Sequence, residues 1–238
     1  MRGGGHNTAG SAAADGAVMI DLSRLNDVVV DPLAKRAVAG GGATLAQLDA
    51  ATQEYGLAVT GGVISHTGIG GLTLGGGMGW LTRRHGLAID NLLSAEVVTA
   101  DGRVQRTSET EHPDLFWALC GGGGNFGVVT RFEYRLHEVG PLVQVGLLFF
   151  GLDQGADVLA LNRRILRDLP ADLALLTSGV NAPPAPFVPE EQRFQPGYAM
   201  TVVGFGPVEQ HAALLDEVRA AVSPMFELVT PMPYVALQ

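Results

Sequence analysis

Cysteine, basic residues and long apolar runs are all scarce in this chain of 238 residues. The one cysteine, Cys120, excludes a disulfide framework and any zinc or iron–sulfur site built from several thiolates. Lys and Arg number 15 against 24 Asp and Glu, so the net charge is -9. This acidic balance argues against nucleic acid or an anionic membrane as the main partner. No apolar run reaches the roughly 18 residues that a membrane span needs.

The short motifs of several common enzyme classes are also missing. There is no P-loop, no Gly-x-Ser-x-Gly nucleophile turn and no His-Glu-x-x-His zinc motif. The six histidines show no short metal-ligand spacing, so no metal site is predicted. The first residues carry no apolar secretory signal, and we therefore expect a soluble protein of the reducing cytoplasm.

Glycine, in contrast, is abundant, with 33 residues that gather in three clusters. The clusters span residues 2–7, 61–79 and 121–127. In the second, glycines alternate with apolar side chains such as Leu72 and Trp80, which predicts buried backbone rather than a flexible linker. Buried glycine indicates either tight packing between elements or the close approach of a ligand. Three such clusters favour a phosphorylated cofactor that is bound by backbone N–H groups.

Gly122, Gly124 and Gly127 formally match the Gly-x-Gly-x-x-Gly fingerprint of nicotinamide-binding sites. That fingerprint requires a strand before the glycines and a helix after them. Here the pattern predicts a helix over 114–119 before them and an alternating strand over 127–136 after them. Because the order is reversed, we reject a Rossmann site.

Hydrophobic periodicity predicts a mixture of strands and helices, and the pattern changes after Pro141. Strands are expected at residues 18–21, 28–31, 36–39, 95–100, 103–106, 127–136, 143–150 and 199–204. Helices are expected over residues 44–55, 114–119, 153–168 and 208–222. We place a domain boundary near residue 140, which divides the chain into residues 1–140 and 141–238.

Three groups of residues stand in a characteristic order along the chain. They are Arg-Gly-Gly-Gly-His-Asn at 2–7 with the segment 18–23; the glycine-rich run 68–80 with the segment 85–92; and Asp-Leu-Phe-Trp-Ala-Leu at 114–119, which leads into 121–127. Together they resemble the FAD-linked oxidases of the vanillyl-alcohol-oxidase type, which carry a PCMH-type FAD-binding domain. Within that family they are similar to the berberine-bridge-enzyme-like branch, and the match is dense over residues 2–140.

The resemblance implies an α+β fold. Residues 1–140 would form a PCMH-type FAD-binding domain of two small sheets with helices, and residues 141–238 part of an antiparallel-sheet substrate domain. The family has a strand–helix–strand section before the position of Arg2, and further strands with a cofactor-contacting segment after the position of Gln238. We therefore expect the chain to be truncated at both ends, as a fragment or through an internal start codon, and to lack catalytic competence by itself.

The cofactor that the resemblance implies is FAD. The residues carried over as FAD-binding are Arg2, Gly3, Gly4, Gly5, His6, Asn7, Thr67, Gly68, Gly70, Gly71, Gly75, Gly76, Gly77, Gly79, Asp90, Asn91, Gly124, Asn125, Gly127, Val128 and Val129. His6 resembles the histidine that becomes covalently bound to the flavin 8α-methyl carbon, and a neutral imidazole nitrogen is a nucleophile at pH 7. The alternative is a loop histidine that only hydrogen-bonds a phosphate.

Three positions depart from the pattern of the berberine-bridge-enzyme-like branch. Ile64 stands where many members carry a cysteine that attaches the flavin a second time, so any attachment here is expected to be single. Cys120 stands where relatives often have arginine, and we interpret it as a packed side chain rather than a reactive thiol. Met78 stands where members with two attachments often have tyrosine.

The function implied is that of an FAD-dependent oxidoreductase. A small organic substrate, such as an alcohol or a sugar lactol, would give a hydride to flavin N5, and O2 or another acceptor would reoxidise the flavin. Two alternatives stay open: an inactive or weakly FAD-binding fragment of such an enzyme, and a noncovalent NAD(P)H-dependent flavin reductase of the same domain type. Tyr198 and Tyr234 match no motif of a catalytic base, so the catalytic residues are left unassigned.

Overall fold

The computed structural model describes residues 1–10, 12–13 and 15–238, and it divides into two compact units. The first unit comprises Met1–Pro141 and Tyr234–Gln238, and the second comprises Leu142–Pro233. The predicted boundary near residue 140 lies beside the observed division, but the last five residues pack with the first unit. Both units combine helices with antiparallel sheets, which confirms the predicted α+β class.

A five-stranded sheet forms the frame of the first unit. Its strands are β1 (Val28–Asp31), β2 (Arg36–Gly40), β4 (Leu92–Val98), β5 (Val104–Ser108) and β6 (Val128–Arg135), in the order β1-β2-β6-β4-β5. Two short strands, β3 (Leu57–Ala58) and β7 (His137–Glu138), pair separately. Each of these strand pairs is antiparallel, and a turn at Asp101 and Gly102, between the strands predicted at residues 95–100 and 103–106, joins β4 to β5.

Three helices contribute buried side chains to the core of the first unit: α1 (Leu45–Gln53), α2 (Ile69–Leu74) and α4 (Pro113–Gly122). The short helix α3 (Thr82–His85) buries none of its residues. The buried side chains of Leu48, Leu119, Phe132 and Tyr134 belong to this core. The Tyr134 hydroxyl is 2.7 Å from the Thr73 hydroxyl, so the one polar atom of this buried ring has a partner.

The second unit is one sheet with two helices on one face. The strands are β8 (Leu142–Gly151), β9 (Leu173–Asn181), β10 (Pro196–Gly204) and β11 (Phe226–Pro233), in the antiparallel order β11-β8-β10-β9. The helices α5 (Gly155–Asp168) and α6 (Val208–Ala221) pack apolar side chains onto Leu148 and Phe150. Phe149 belongs to a separate cluster with Phe226, as alternation along a strand requires. A short helix, α7 (Tyr234–Leu237), follows β11 and belongs to the first unit.

Parts of the secondary-structure prediction are wrong or incomplete. Residues 18–21 do not form a strand: their one bridge joins Asp21 to Arg2, and the side chain of Val18 is 93% exposed. The β-branched composition favoured a strand, but within the described residues no neighbouring strand pairs with it. Strands β9 and β11 were not predicted. Two prolines interrupt the pattern of β11, and they are tolerated there because β11 lies at the edge of its sheet.

Over residues 1–10, 12–13 and 15–238, no helix is both long enough and apolar enough to cross a membrane. Over the same residues, no group of three or more His, Cys, Asp or Glu side chains is arranged to hold a metal ion.

Candidate functional site

The first glycine cluster, residues 2–7, is attached to residues 20–22 of the first unit. The Arg2 N–H donates to Ile20 O at 2.8 Å, and the Leu22 N–H donates to Arg2 O at 2.9 Å. The Arg2 guanidinium pairs with Asp21 at 2.9 Å. Hydrogen bonds from Ser23 and the charge of Arg2 lower the pKa of the Asp21 carboxyl. The segment that was predicted as a strand therefore anchors the loop.

Backbone hydrogen bonds join the second glycine cluster to the residues at the start of α1. The Leu45 N–H donates to Thr67 O at 2.9 Å, and the Ala46 N–H donates to Ser65 O at 2.8 Å. The Ile69 N–H donates to Ala43 O at 2.9 Å. These three bonds fix the backbone of residues 65–69 without using any of their side chains.

Gly4 and Gly68 bring the first two clusters together. A β-carbon on Gly4 would overlap the Gly68 backbone nitrogen, and a β-carbon on Gly68 would overlap the Gly4 backbone nitrogen. Only glycine at both positions allows the two backbones to lie this close. Tight packing between the two backbones therefore explains glycine at both positions, and both residues line one cavity.

A cavity of about 890 Å³ lies between the three clusters, near the upper end of the range of small-molecule sites. Most of the predicted FAD-binding residues line it: Arg2, Gly3, Gly4, Gly5, His6, Asn7, Thr67, Gly68, Gly70, Gly71, Gly75, Gly124, Asn125, Gly127 and Val129. The third cluster contributes through a 3-10 turn at Gly123–Phe126, in which the Asn125 side chain donates to Gly122 O at 2.8 Å. Residues that are distant in sequence are thus brought to one concave surface.

Several lining residues were not predicted from the sequence: Met1, Ala12, Leu22, Gly41, Gly62, Val63, Ile64, Leu72, Leu74, Met78, Gly123 and Phe132. Gly41 could have been found, because it is the centre of a three-glycine run directly after β2. The apolar members carry no such signal, since a buried core and an apolar cavity wall select the same residue types.

Six predicted residues do not line the cavity: Gly76, Gly77, Gly79, Asp90, Asn91 and Val128. The structure gives several of them a role within the protein. The Asp90 carboxylate accepts a hydrogen bond from the Leu87 N–H at 2.7 Å. The Asn91 amide donates to His85 O and Leu87 O, and its oxygen is 2.6 Å from His137 Nε2. These hydrogen bonds hold the backbone of the segment after α3 in place. The contact of these residues with FAD stays a prediction.

Two histidines meet at the edge of the cavity. His6 lines the cavity, and its Nε2 lies 2.6 Å from Nδ1 of His66. The ring centres are 4.5 Å apart and the rings are tilted by 38°. Both side chains are exposed. Sequence reasoning identified His6 but not His66, because sixty positions separate them and no motif links them.

Gly71 provides a test of whether FAD fits this cavity. It lies in helix α2 and lines the cavity, its φ is not positive, and a β-carbon there would meet nothing within 4 Å. Neither backbone conformation nor protein packing therefore requires glycine, although glycine weakens a helix by about 1 kcal/mol relative to alanine. Glycine at this position leaves room for a ligand to approach the helix backbone closely. The residues present thus fit a large, extended cofactor such as FAD.

Replacing Gly71 by alanine is expected to have opposite effects on folding and on binding. The apoprotein should gain up to about 1 kcal/mol in its free energy of unfolding from helix propensity. FAD should bind about tenfold to a hundredfold more weakly, because overpacking costs about 1–3 kcal/mol. Urea unfolding and FAD titration measure the two effects. Gly179→Ala in β9, where a β-carbon also meets nothing, is the matched control and should leave FAD affinity unchanged.

Comparison with known proteins agrees with this geometry. The profile of a family described as the FAD binding domain matches residues 1–108. The FAD-linked oxidoreductase pgmH of Aspergillus terreus is 45% identical over 158 residues, which are 66% of this chain and 32% of that protein.

Two solved structures share the fold over nearly the whole chain. The 6-hydroxy-D-nicotine oxidase of Arthrobacter nicotinovorans has a TM-score of 0.85 at 30% identity, over 99% of this chain and 51% of that one. The berberine-bridge-enzyme-like protein 1 of Physcomitrella patens has a TM-score of 0.85 at 24% identity, over 98% and 49%. The chain therefore spans about half the length of these two proteins.

Proposed function

We propose that this chain, which resembles FAD-linked oxidoreductases in sequence and has the berberine-bridge-enzyme-like fold, binds FAD in the cavity of the first unit and contributes this cofactor site to the oxidation of a small organic donor. The observation that carries the proposal is the convergence of three glycine clusters on one cavity, with Gly71 facing open space. When bound, FAD supplies the redox chemistry: it accepts a hydride from an alcohol or a sugar lactol and is reoxidised by O2 or another acceptor.

The chain's own residues bind and orient the cofactor in this proposal. Residues 3–7, together with Gly68, Gly70 and Gly71, offer backbone N–H groups to the pyrophosphate in this proposal. The close contact of Gly4 with Gly68 holds the two loops at a fixed spacing. The Arg2 guanidinium stays with Asp21, so its charge is already balanced and it serves to anchor the loop.

His6 attaches the flavin covalently in this proposal. It is a nucleophile on the cavity wall, whereas Ile64 on the same wall has no nucleophilic atom. Cys120 is exposed, so the prediction of a packed side chain is wrong, and it is not among the lining residues. Partial desolvation and the charge of Asp90 raise the pKa of its thiol, which lowers the fraction of reactive thiolate. A single attachment, at His6, follows.

Titration of the apoprotein with FAD, followed by exposure to donors, tests the proposed function. We expect saturable FAD binding with flavin bands near about 370 and 450 nm. The 450 nm band should not bleach under anaerobic exposure to a panel of alcohols, lactols and 6-hydroxynicotine, because the chain by itself is expected to lack catalytic competence. Failure to bind FAD would refute the cofactor assignment, and rapid bleaching by any donor would refute the expected lack of competence and identify the donor class.

A further inference from the structure

The contact between His6 and His66 has a chemical consequence for flavin attachment. His6 Nε2 and His66 Nδ1 are 2.6 Å apart, and no other hydrogen bond to the His6 ring occurs within the described residues. A hydrogen bond between two exposed side chains contributes little to folding, because water satisfies both groups in the unfolded chain. The pair lies at the edge of the cavity, and His6 is one of the residues that line it.

We propose that His66 is a positioning residue for covalent flavin attachment. It holds His6 in the tautomer that leaves Nδ1 unprotonated, and it takes the Nε2 proton as the new bond forms. This inference rests on the proposed function, since it requires that FAD is attached at His6.

The tautomer follows from proton counting. A neutral imidazole carries one proton, and the nitrogen without it is the nucleophile. When His6 donates from Nε2 to Nδ1 of His66, the lone pair of His6 is on Nδ1. After Nδ1 forms a bond to carbon, the ring would be cationic until Nε2 releases its proton, and His66 is the group that receives it. His66 is exposed, so the proton passes on to water.

The attachment step balances with dioxygen as the oxidant. A bond forms between His6 Nδ1 and the flavin 8α carbon, and one C–H bond of that methyl group and one N–H bond of the imidazole are lost. The two hydrogens and two electrons reduce one O2 to hydrogen peroxide, and the flavin ends in its oxidised form. His66 is neither consumed nor oxidised.

The backbone holds the two rings at this separation. Gly4 is two residues before His6, and Gly68 is two residues after His66, and these glycines are in direct backbone contact. On the other side of His66, Ser65 O accepts a hydrogen bond from the Ala46 N–H at 2.8 Å. Both histidines therefore extend from anchored loops, which is the arrangement that a proton transfer between side chains requires.

The test compares the rate of covalent attachment with noncovalent affinity in the full chain. Apoprotein, His66→Asn, His66→Ala and the control His112→Asn are mixed with FAD in air, and flavin in the acid precipitate is followed with time. His112 is another exposed histidine and does not line the cavity. The dissociation constant is measured anaerobically with an FAD analogue that lacks the 8-methyl group, so that no attachment can occur.

Asparagine can accept the hydrogen bond from His6 but cannot take its proton. We therefore expect His66→Asn to slow attachment at least about tenfold, since general-base transfer contributes about 10²–10⁴-fold. Its anaerobic FAD affinity should stay within about twofold, which is about 0.4 kcal/mol. Added imidazole should restore the attachment rate of His66→Ala in a dose-dependent way. The His112→Asn protein should behave like the unmodified chain.

Three results would overturn the inference. Attachment at the unmodified rate in His66→Asn would show that no proton acceptor is needed at this position. Loss of anaerobic FAD affinity in parallel with the rate, or failure of imidazole to rescue His66→Ala, would show a merely structural role. Absence of attachment in the unmodified chain is a different failure, because it refutes the covalent bond at His6 that the proposed function assigns.

Discussion

Replacing His6 by alanine is expected to move all the flavin colour from the acid precipitate to the supernatant. Acid denatures the protein and releases every noncovalently bound cofactor, so colour in the pellet reports covalent attachment alone. Within the cavity wall, His6 is the one histidine among the described residues, and the wall contains no cysteine. Alanine keeps the backbone of the loop and removes the nucleophile, and the effect is therefore complete rather than partial.

Ile64→Ala is the matched control for His6→Ala. Ile64 lines the same cavity and stands where many relatives attach the flavin a second time, but it has no nucleophilic atom. Its replacement should leave the pellet as yellow as that of the unmodified chain. Colour in the pellet of His6→Ala would mean that another residue forms the bond, and a colourless pellet from the unmodified chain would mean that no bond forms.

The second large effect is on stability and concerns Asp49 in helix α1. Asp49 is 2% exposed, and its Oδ2 has no hydrogen-bond partner among the residues that the structure describes. Burial raises the pKa of this carboxyl from 3.8 to about 7. Since one pH unit is worth about 1.4 kcal/mol per proton, this gap corresponds to about 4 kcal/mol.

The direction of this pH dependence is set by which state, folded or unfolded, keeps the Asp49 proton up to the higher pH. Below about pH 3 the carboxyl is protonated in both the folded and the unfolded chain, and the folded state has its full stability. As the pH rises towards 7, the unfolded chain releases the proton first and is favoured. The free energy of unfolding of Asp49→Asn should therefore exceed that of the unmodified chain by less than about 1 kcal/mol at pH 4 and by up to about 4 kcal/mol at pH 8.

Urea unfolding of both proteins at pH 4, 6 and 8 measures this difference. Glu54→Gln is the control. The exposed Glu54 directly follows helix α1, and its replacement removes a carboxyl without changing a buried group. It should leave the pH dependence of the unfolding free energy unchanged. A constant difference between Asp49→Asn and the unmodified chain from pH 4 to pH 8 would show that Asp49 is not held protonated by burial.

The part of the candidate site that is built from glycine-rich backbone could be predicted from the sequence. Glycine clusters signal close backbone approach, and this signal correctly brought Gly4, Gly68 and Gly71 to one cavity. It could not separate glycines that face a ligand from glycines that turn the chain. Gly76 and Gly77 have positive φ and lie outside the cavity wall.

Features that depend on distant partners could not be predicted. The contact of His66 with His6 is set by how two loops pack, and no local pattern records it. The strand expected at residues 18–21 has the right composition, but strand formation also requires a neighbour to pair with. The alternating apolar pattern of β6 was sufficient to predict this strand, because β6 has a pairing neighbour on each side within the five-stranded sheet.

Peptide mapping after incubation with FAD in air tests the central claim most directly. Trypsin cleaves after Arg and Lys, so His6 lies in peptide 3–24 and His66 lies in peptide 37–83. We predict that peptide 3–24 gains the mass of one FAD less two hydrogens, with the modification at His6. An unmodified peptide 3–24, or flavin found on peptide 37–83 instead, would contradict the account.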